Sequence, residues 1–426
     1  MLTSSCMKRG NDMAGINLNR CPKVSKDTGI RTIPPEETLK RVIPLLEKAG
    51  MDPLEDITPM DNIGIPVYSV YRKMTAKGTF GNYNGKGATP EQAQASAVME
   101  AMERYSAELR DNDEIVYGTI QQVRDNGPMI EPNDLILPAR VMNGLETEDI
   151  AWTTGYDLIQ GEEVWVPACA VFYPYYPDGD LQLFRFHTNG IAAGNTMEEA
   201  ILHAMFEVIE RDAWSIAEAF DRTNADVIIE DENSVPGRLL KQFRDNGVEI
   251  QLKDLTTDVG VTTIGASSDD VRTKDPELLN IGVGTHLDPQ IAAIRALTEV
   301  AQSRTTHKHG LKVNANLVKV TKDMGYDRIK KVNRLWYSEN KNKIKLEDMV
   351  DQSTDYVLDD IEVVLGKLVD TGFERAVVAD LTRPEIGVPT VRMIIPGMEV
   401  STMDSEREGS RCWGRWPKPV QNGQNM

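Results

Sequence analysis

Two rhythms of apolar residues run along this chain. In one, β-branched and aromatic residues alternate with polar ones or form short unbroken runs. NIGIPVYSVYRK (62–73), EEVWVPACAVFY (162–173), LLNIGVGTH (278–286), ERAVVADL (374–381) and VPTVRMIIPG (388–397) follow it and read as strands. In the other, apolar residues recur every three or four positions, which predicts helices. PPEETLKRVIPLLEKAG (34–50) is one such helix, with prolines at its entry and Gly50 at its exit. Helices lying between strands predict a mixed α and β class, with sheets flanked by helices. The charged stretch from about 311 to 370 departs from this alternation. DRIKKVNRLWYSENKNKIKLEDMV (327–350) and DYVLDDIEVVLGKLV (355–369) read as amphipathic helices, an excursion from the core. Residues 1–22 are polar and irregular and are expected to form a loose arm, and residues 412–426 a tail.

The pattern also repeats. Shifting the sequence by 107 positions places GATPEQAQASAVMEAMER (87–104) on GNTMEEAILHAMFEVIER (194–211). Gly87 and Gly194, Thr89 and Thr196, Glu91 and Glu198, and Ala93 and Ala200 coincide. So do Glu100 and Glu207, Glu103 and Glu210, and Arg104 and Arg211. A weaker third copy, DPQIAAIRALTEVAQSR (288–304), aligns Ala292, Glu299 and Gln302, with Arg304 displaced by one position. Each copy opens on a Thr or Asp suited to capping a helix. At about 100° per residue, Glu207, Glu210, Arg211 and His203 share one face, opposite Ile201, Met205, Val208 and Ile209. Likewise Glu100, Glu103, Arg104 and Ser96 oppose Val98, Met102 and Leu109.

For one copy alone, a solvated acidic face is the simpler reading. Such a face, however, has no need of glutamates at the same offsets from a glycine in two copies. Like charges at i, i+3 cost about 0.2–0.5 kcal/mol, and a divalent cation between them reverses the sign. Hard oxygen ligands without clustered Cys or His select Mg²⁺, which completes its shell with water and substrate phosphates. Carboxylates supplied by three helices exceed what one ion requires, so more than one ion is expected. Arg104, Arg211 and Arg304 are available to phosphates, as is Lys86 in NGKGAT, although no G-x-x-x-x-G-K-[ST] loop occurs.

The net charge of −19 at pH 7 argues against nucleic-acid binding and against an anionic membrane surface. The four cysteines, Cys6, Cys21, Cys169 and Cys412, form no C-x-x-C pair, so neither a zinc site nor a disulfide framework is indicated. The start has no signal-peptide pattern and no stretch approaches a membrane span, so a cytoplasmic protein is expected. His307 and His309 lack a third ligand and read as surface residues.

Taken together, Ser96-x3-Glu100-x2-Glu103-Arg104, Glu207-x2-Glu210-Arg211 and Glu299-x2-Gln302-x-Arg304 resemble the three signature segments of YcaO-domain proteins. NGKGAT, NGIAAGNT, EVIERDAW and DLTRPEIGVPTVRMIIPG occur in the order that family shows. The resemblance covers residues 23–411. It implies an ATP-binding fold with internal pseudo-symmetry, in which Glu100, Glu103, Glu207, Glu210 and Glu299 hold Mg²⁺ against the nucleotide. Ser96, Lys86, Arg211 and Gln302 would contact nucleotide or phosphate, Lys26 and Thr38 would be early nucleotide contacts, and Arg104 and Arg304 would support the glutamates.

Family chemistry is ATP-dependent activation of a peptide-backbone amide: a nucleophile adds to the carbonyl carbon, the oxygen is phosphorylated, and phosphate leaves. Side-chain nucleophiles give azolines, and external sulfide gives a thioamide. Cys169 and Cys412 are expected to be incidental. The ending CWGRWPKPVQNGQNM matches the proline-rich terminus of azoline formers only in part. Length and ending resemble archaeal members of the methanogenesis marker type, which thioamidate a glycine in the α subunit of methyl-coenzyme M reductase with a TfuA-like partner and a sulfide source. A homodimer is expected. The alternatives are azoline formation on a ribosomal peptide, a carboxylate–metal phosphoester hydrolase, and a scaffold whose acidic helices only solvate it.

Overall fold

In this computed structural model residues 16–24, 29–141, 144–309, 315–414 and 416 are described. Lys26, Cys6, most of the amino-terminal arm and residues 417–426 lie outside them. Helix α1 (Pro35–Leu46) leads into strands β1 (Glu55–Asp56), β2 (Val67–Tyr71) and β3 (Asn82–Lys86), an antiparallel sheet covered by α2 (Pro90–Ser106). Then come β4 (Val116–Gly118), α3 (Ile120–Arg124), β5 (Ile150–Asp157), β6 (Glu162–Pro167), α4 (Ala168–Val171), β7 (Ile191–Ala193) and the long α5 (Met197–Ala219). The third part runs through β8 (Ala225–Ile228), α6 (Val235–Asp245), β9 (Glu249–Asp254), β10 (Thr263–Asp269) and β11 (Ile281–Thr285) to α7 (Pro289–Lys308). Short helices α8 (Ala315–Met324), α9 (Tyr326–Val332) and α10 (Arg334–Tyr337) precede β12 (Lys343–Lys345) and α11 (Val357–Thr371). Strands β13 (Val377–Asp380) and β14 (Thr390–Ile394) end the regular structure.

Three sheets result. The second has the order β11-β10-β9-β8-β12, and the third β4-β5-β13-β14-β7 with β6 beside β5. Every pairing is antiparallel except β12 with β8. The fold is thus mixed α and β, as the interleaved rhythms predict.

The repeat is three-dimensional. β3–α2, β7–α5 and β11–α7 are three strand–turn–helix units, one from each sheet. Each helix packs on its own strand and on the strand of another unit: α2 on β7, α5 on β11, and α7 on β3. The contacts therefore close into a ring of three. Close approach is achieved by glycine: a Cβ on Gly85 would sit 2.0 Å from the Ala97 nitrogen of α2, and one on Gly284 2.2 Å from the Ala292 oxygen of α7. The predicted apolar faces point inward, with Ile201, Met205, Val208, Ile209, Val98 and Met102 all buried. Leu109 lies beyond the end of α2 and packs on a different cluster.

Other expectations are revised. The segment 162–173 is a strand only to Pro167, after which Ala168–Val171 turn as a helix. The charged stretch 327–350 is not one helix: two short helices give way to β12, which joins the second sheet. Helix α11 packs on α5, with Val357, Ile361, Val364 and Leu368 in the same core. The described part of the arm is not loose. Ile16 is buried in that core and the Asn19 backbone N–H donates to Glu198, and just past the arm Lys23 forms a buried ion pair with Asp360 at 2.5 Å.

Candidate functional site

The three repeat helices begin alike. Thr89, Thr196 and Asp288 cap them by accepting from the backbone nitrogens of Gln92, Glu199 and Gln290. Identical starts on units that close a ring bring their glutamates to a common interior. The side chain of Glu210 is only 2% exposed, Glu103 11% and Glu299 18%. A solvated acidic face is therefore excluded.

Like charges meet there in two groups. Burial, reinforced by the charge of Glu207, raises the pKa values of Glu100 and Glu103, although Arg104 opposes it in both. Burial likewise raises Glu207 against the pull of Arg211. Glu210 is pushed up to about 7, chiefly by burial and then by Glu299, against Arg211. For Glu299 burial is outweighed by Lys86 and Arg211, and its pKa is lowered. Cations are threaded among these acids. The Lys86 ammonium donates to Glu299, Arg104 pairs with Glu103 at 2.8 Å and Glu100 at 3.6 Å, and Arg211 pairs with Glu210 at 3.2 Å.

The sequence-predicted residues thus largely assemble. Lys86 is the last residue of β3 rather than part of a free glycine turn. Ser96 is half-buried one helical turn before Glu100. Gln302 donates to the Asn84 carbonyl on β3. Thr38, 3% exposed, donates to Asn195 Oδ1 at 3.0 Å, and Asn195 in turn donates to Glu199 at 2.9 Å. Arg304 is the exception. It is fully buried and pairs with Asp61 at 2.9 Å and Asp270 at 3.4 Å, away from the glutamates. Its displacement by one position in the third copy rotates it by about 100°, off the shared face.

Other residues join the site, of which the sequence places only His203 on the shared face. Arg295, one turn before Glu299, acts on Glu207, Glu210 and Glu299, and its Nε is buried without a hydrogen-bond partner. Its i, i+4 relation to Glu299 was visible in the third copy. His203 Nδ1 is also buried and unpartnered, and burial, with Arg295 beside it, drives the imidazole well below its usual range. Glu199 accepts from Thr32 at 2.5 and 2.6 Å, which ties the amino-terminal segment to the start of α5. A cavity of about 210 Å³ opens beside Glu100 and Arg104, with Phe80, Tyr83 and Tyr173 in its wall. Burial pushes the Cys169 thiol up to about 12 and raises Cys412 as well, which disfavours the thiolate of either.

Among the described residues no three His, Cys, Asp or Glu side chains converge tightly enough to form a metal centre by themselves. The donor set nevertheless fits Mg²⁺. It offers carboxylate oxygens from three helices and no thiolate, and Glu210 Oε2 is buried without a hydrogen-bond partner. No helix of the described residues is long and apolar enough to cross a membrane.

Comparison with known proteins agrees with this geometry. A family model described as YcaO cyclodehydratase, ATP- and Mg²⁺-binding, matches residues 84–399. An uncharacterized protein of Methanothermobacter thermautotrophicus is 46% identical over 383 residues, covering 89% of this chain and 98% of the relative. A Rhizobium leguminosarum bv. trifolii protein, known only as lying in the tfuA 3′ region, is 28% identical over 401 residues, 90% of this chain and 92% of its own. The solved structure of YcaO from Methanopyrus kandleri bound with AMPPCP and Mg²⁺ superposes with a TM-score of 0.76 at 30% identity, covering 92% of this chain and 98% of that one.

Proposed function

This chain belongs to the YcaO family, and from that premise we propose that it uses ATP and Mg²⁺ to replace a backbone amide oxygen with sulfur in a peptide. The observation that carries this reading is the convergence of Glu100, Glu103, Glu207, Glu210 and Glu299 from three related helices, interleaved with Lys86, Arg104, Arg211 and Arg295. The five glutamates would hold Mg²⁺, more than one ion, where it would neutralise phosphate charge. Lys86, Arg211 and Arg295 would clamp phosphate oxygens, Ser96 and Gln302 would line the nucleotide, and the Thr38–Asn195–Glu199 chain would hold the rim of the site in place. Lys26 belongs to the same proposed set.

The reaction balances without a redox partner. Hydrosulfide adds to the amide carbon and the γ-phosphoryl group passes to the amide oxygen. The carbon–oxygen bond then breaks, so amide, hydrosulfide and ATP give thioamide, ADP and hydrogen phosphate. Phosphate is the better leaving group, which is why ATP is needed. Burial and fixed cations around the site stabilise charge that develops on the transferring group.

The archaeal relatives and the relative from a tfuA region support sulfide as the nucleophile, with a glycine in the α subunit of methyl-coenzyme M reductase as acceptor and a TfuA-like protein as partner. The catalytic unit would span 23–411, with 412–426 as a tail, and act as a homodimer. The description of the family model as a cyclodehydratase favours a second reading, azoline formation. Protein, MgATP, sulfide and a glycine-containing peptide of the reductase, with and without a TfuA-like partner, should yield a peptide in which one backbone oxygen is exchanged for sulfur, read by mass spectrometry. Loss of water from the peptide instead would assign the azoline reaction. No ATP-dependent change in either arm would refute both.

A further inference from the structure

Beneath α5, around one cavity, two arginines are buried without a carboxylate in contact. Arg392 and Arg407 are 3% and 4% exposed, and neither forms an ion pair among the described residues. Between them lies the half-buried ring of His187. Arg407 NH1 stands 2.9 Å from His187 Nε2, Arg392 NH2 stands 3.3 Å from Nδ1, and Arg392 NH1 donates to the His187 carbonyl at 2.8 Å. Arg407 spends its other donors on the carbonyls of Ile136 and Leu135 and stacks over Phe184 at 3.8 Å.

A neutral imidazole has one acceptor nitrogen and one N–H. Nε2 accepts from Arg407 at the shorter distance, so Nδ1 carries the proton and confronts Arg392 donor to donor. Arg392 Nε has no hydrogen-bond partner, and neither has Oδ1 of Asn189, a residue 4% exposed. All of these groups line one cavity of about 50 Å³, closed by Phe184, Val208 and Ile394. Glu207 acts on Arg392 and Asp404 on Arg407 from further off, and the exposed Asp134 also lines the cavity. Burial pushes Arg392 down to about 9 and Arg407 to about 10, and Cys169, raised to about 12, supplies no thiolate. Buried donors without an acceptor are costly, and an anion would satisfy Arg392 Nε and the His187 N–H at once, whereas Asn189 Oδ1, an acceptor, is satisfied only by a ligand that also carries a hydrogen.

We propose that this cavity is a binding site for one small anion, and that in catalysis the anion is hydrosulfide, held by the N–H groups of Arg392 and His187 with its S–H toward Asn189 Oδ1, beside Glu207. The size admits one or two water-sized groups and excludes a nucleotide. A partly apolar wall suits a soft, weakly hydrated anion over a phosphate dianion. Arg392 lines the cavity and is acted on by Glu207, so an anion released here is near the carboxylate cluster. The anion site rests on the geometry alone, whereas its assignment to hydrosulfide rests on the thioamide reading above.

Bromide is the probe. Crystals soaked in bromide should show anomalous density at the Arg392 Nε and His187 Nδ1 donors, and Asn189→Leu, which fills the cavity without removing a charge, should abolish it. Water alone at this position in the wild-type protein would overturn the site. In the thioamidation assay bromide should compete with sulfide and not with ATP. Asn189→Leu and Arg392→Met should each raise the KM for sulfide by about tenfold or more, as expected for lost charge-assisted hydrogen bonds, with the KM for ATP unchanged. Two results would sink the hydrosulfide assignment while the anion site stood: bromide density with no competition against sulfide, or bromide density in a protein that makes azolines.

Discussion

At the scale of single residues, Glu210 is a buried acid whose displacement from water a titration can read. Its pKa is raised from 4.5 to about 7, first by burial and then by Glu299. Between those values the folded chain keeps a proton that the unfolded chain has released. Stability of the ligand-free protein therefore falls as pH rises through that window. Glu100, Glu103 and Glu207 are raised and act in the same direction. The buried His187, His203 and His286 act in the opposite one. Their pKa values lie well below 6.5, so their contribution grows as pH rises toward 6.5. A comparison with Glu210→Gln isolates the glutamate. Relative to wild type, the variant should gain stability progressively from pH 4.5 to above 7, by on the order of 1–3 kcal/mol. Parallel stability curves for the two proteins would mean that Glu210 titrates like an exposed acid, and the account of its burial would be wrong.

At the scale of elements, the seam between β3 and α2 sets how closely the first glutamate helix approaches the ring. A Cβ on Gly85 would overlap the Ala97 nitrogen and the Ala93 oxygen, both backbone atoms that cannot swing aside. Gly85→Ala should therefore push α2 outward, destabilise the protein by about 1–3 kcal/mol and weaken MgATP binding with it. Gly366 is the control. It sits exposed in α11 with nothing near its missing Cβ, so Gly366→Ala should stabilise by about 0.5–1 kcal/mol and leave MgATP binding alone. Thermal denaturation with and without nucleotide reads both, and equal effects from the two alanines would refute the packing argument.

Legibility divides along the same line. The glutamate helices could be read because their period and caps are local, and the repeat made each copy a control for the others. Arg304 was misplaced because a one-residue slip turns a side chain about 100° off its face, which a pattern of identities does not weigh. Arg392 and His187 could not be seen at all, since each is an ordinary residue in its own segment and their meeting depends on sheet register across 205 positions. The strand β12 was hidden by its charge: Lys343 and Lys345 point outward from an edge, where lysine is common.

At the scale of the molecule, the ring of three units forces like charges together that no single unit would hold. Glu103 and Glu207 come from different units and raise one another's difficulty in ionising, and Glu207, unlike Glu103 and Glu210, has no contact ion pair among the described residues. Closing the ring without a bound cation is thus worked against by the charges that make the site useful. Glu207→Gln should raise the melting temperature of the ligand-free protein and shrink the stabilisation conferred by MgATP, since binding to the native state is what that stabilisation measures. Glu103→Gln should do the same alone. In the double variant the second substitution should add less than it does by itself, because the repulsion it relieves is already gone. The coupling should amount to about 0.5–3 kcal/mol, the range for groups in one network. Strict additivity in the ligand-free protein would show that the two carboxylates do not sense each other. A MgATP shift undiminished in either single variant would show that the ring gathers them for some purpose other than binding nucleotide and ion.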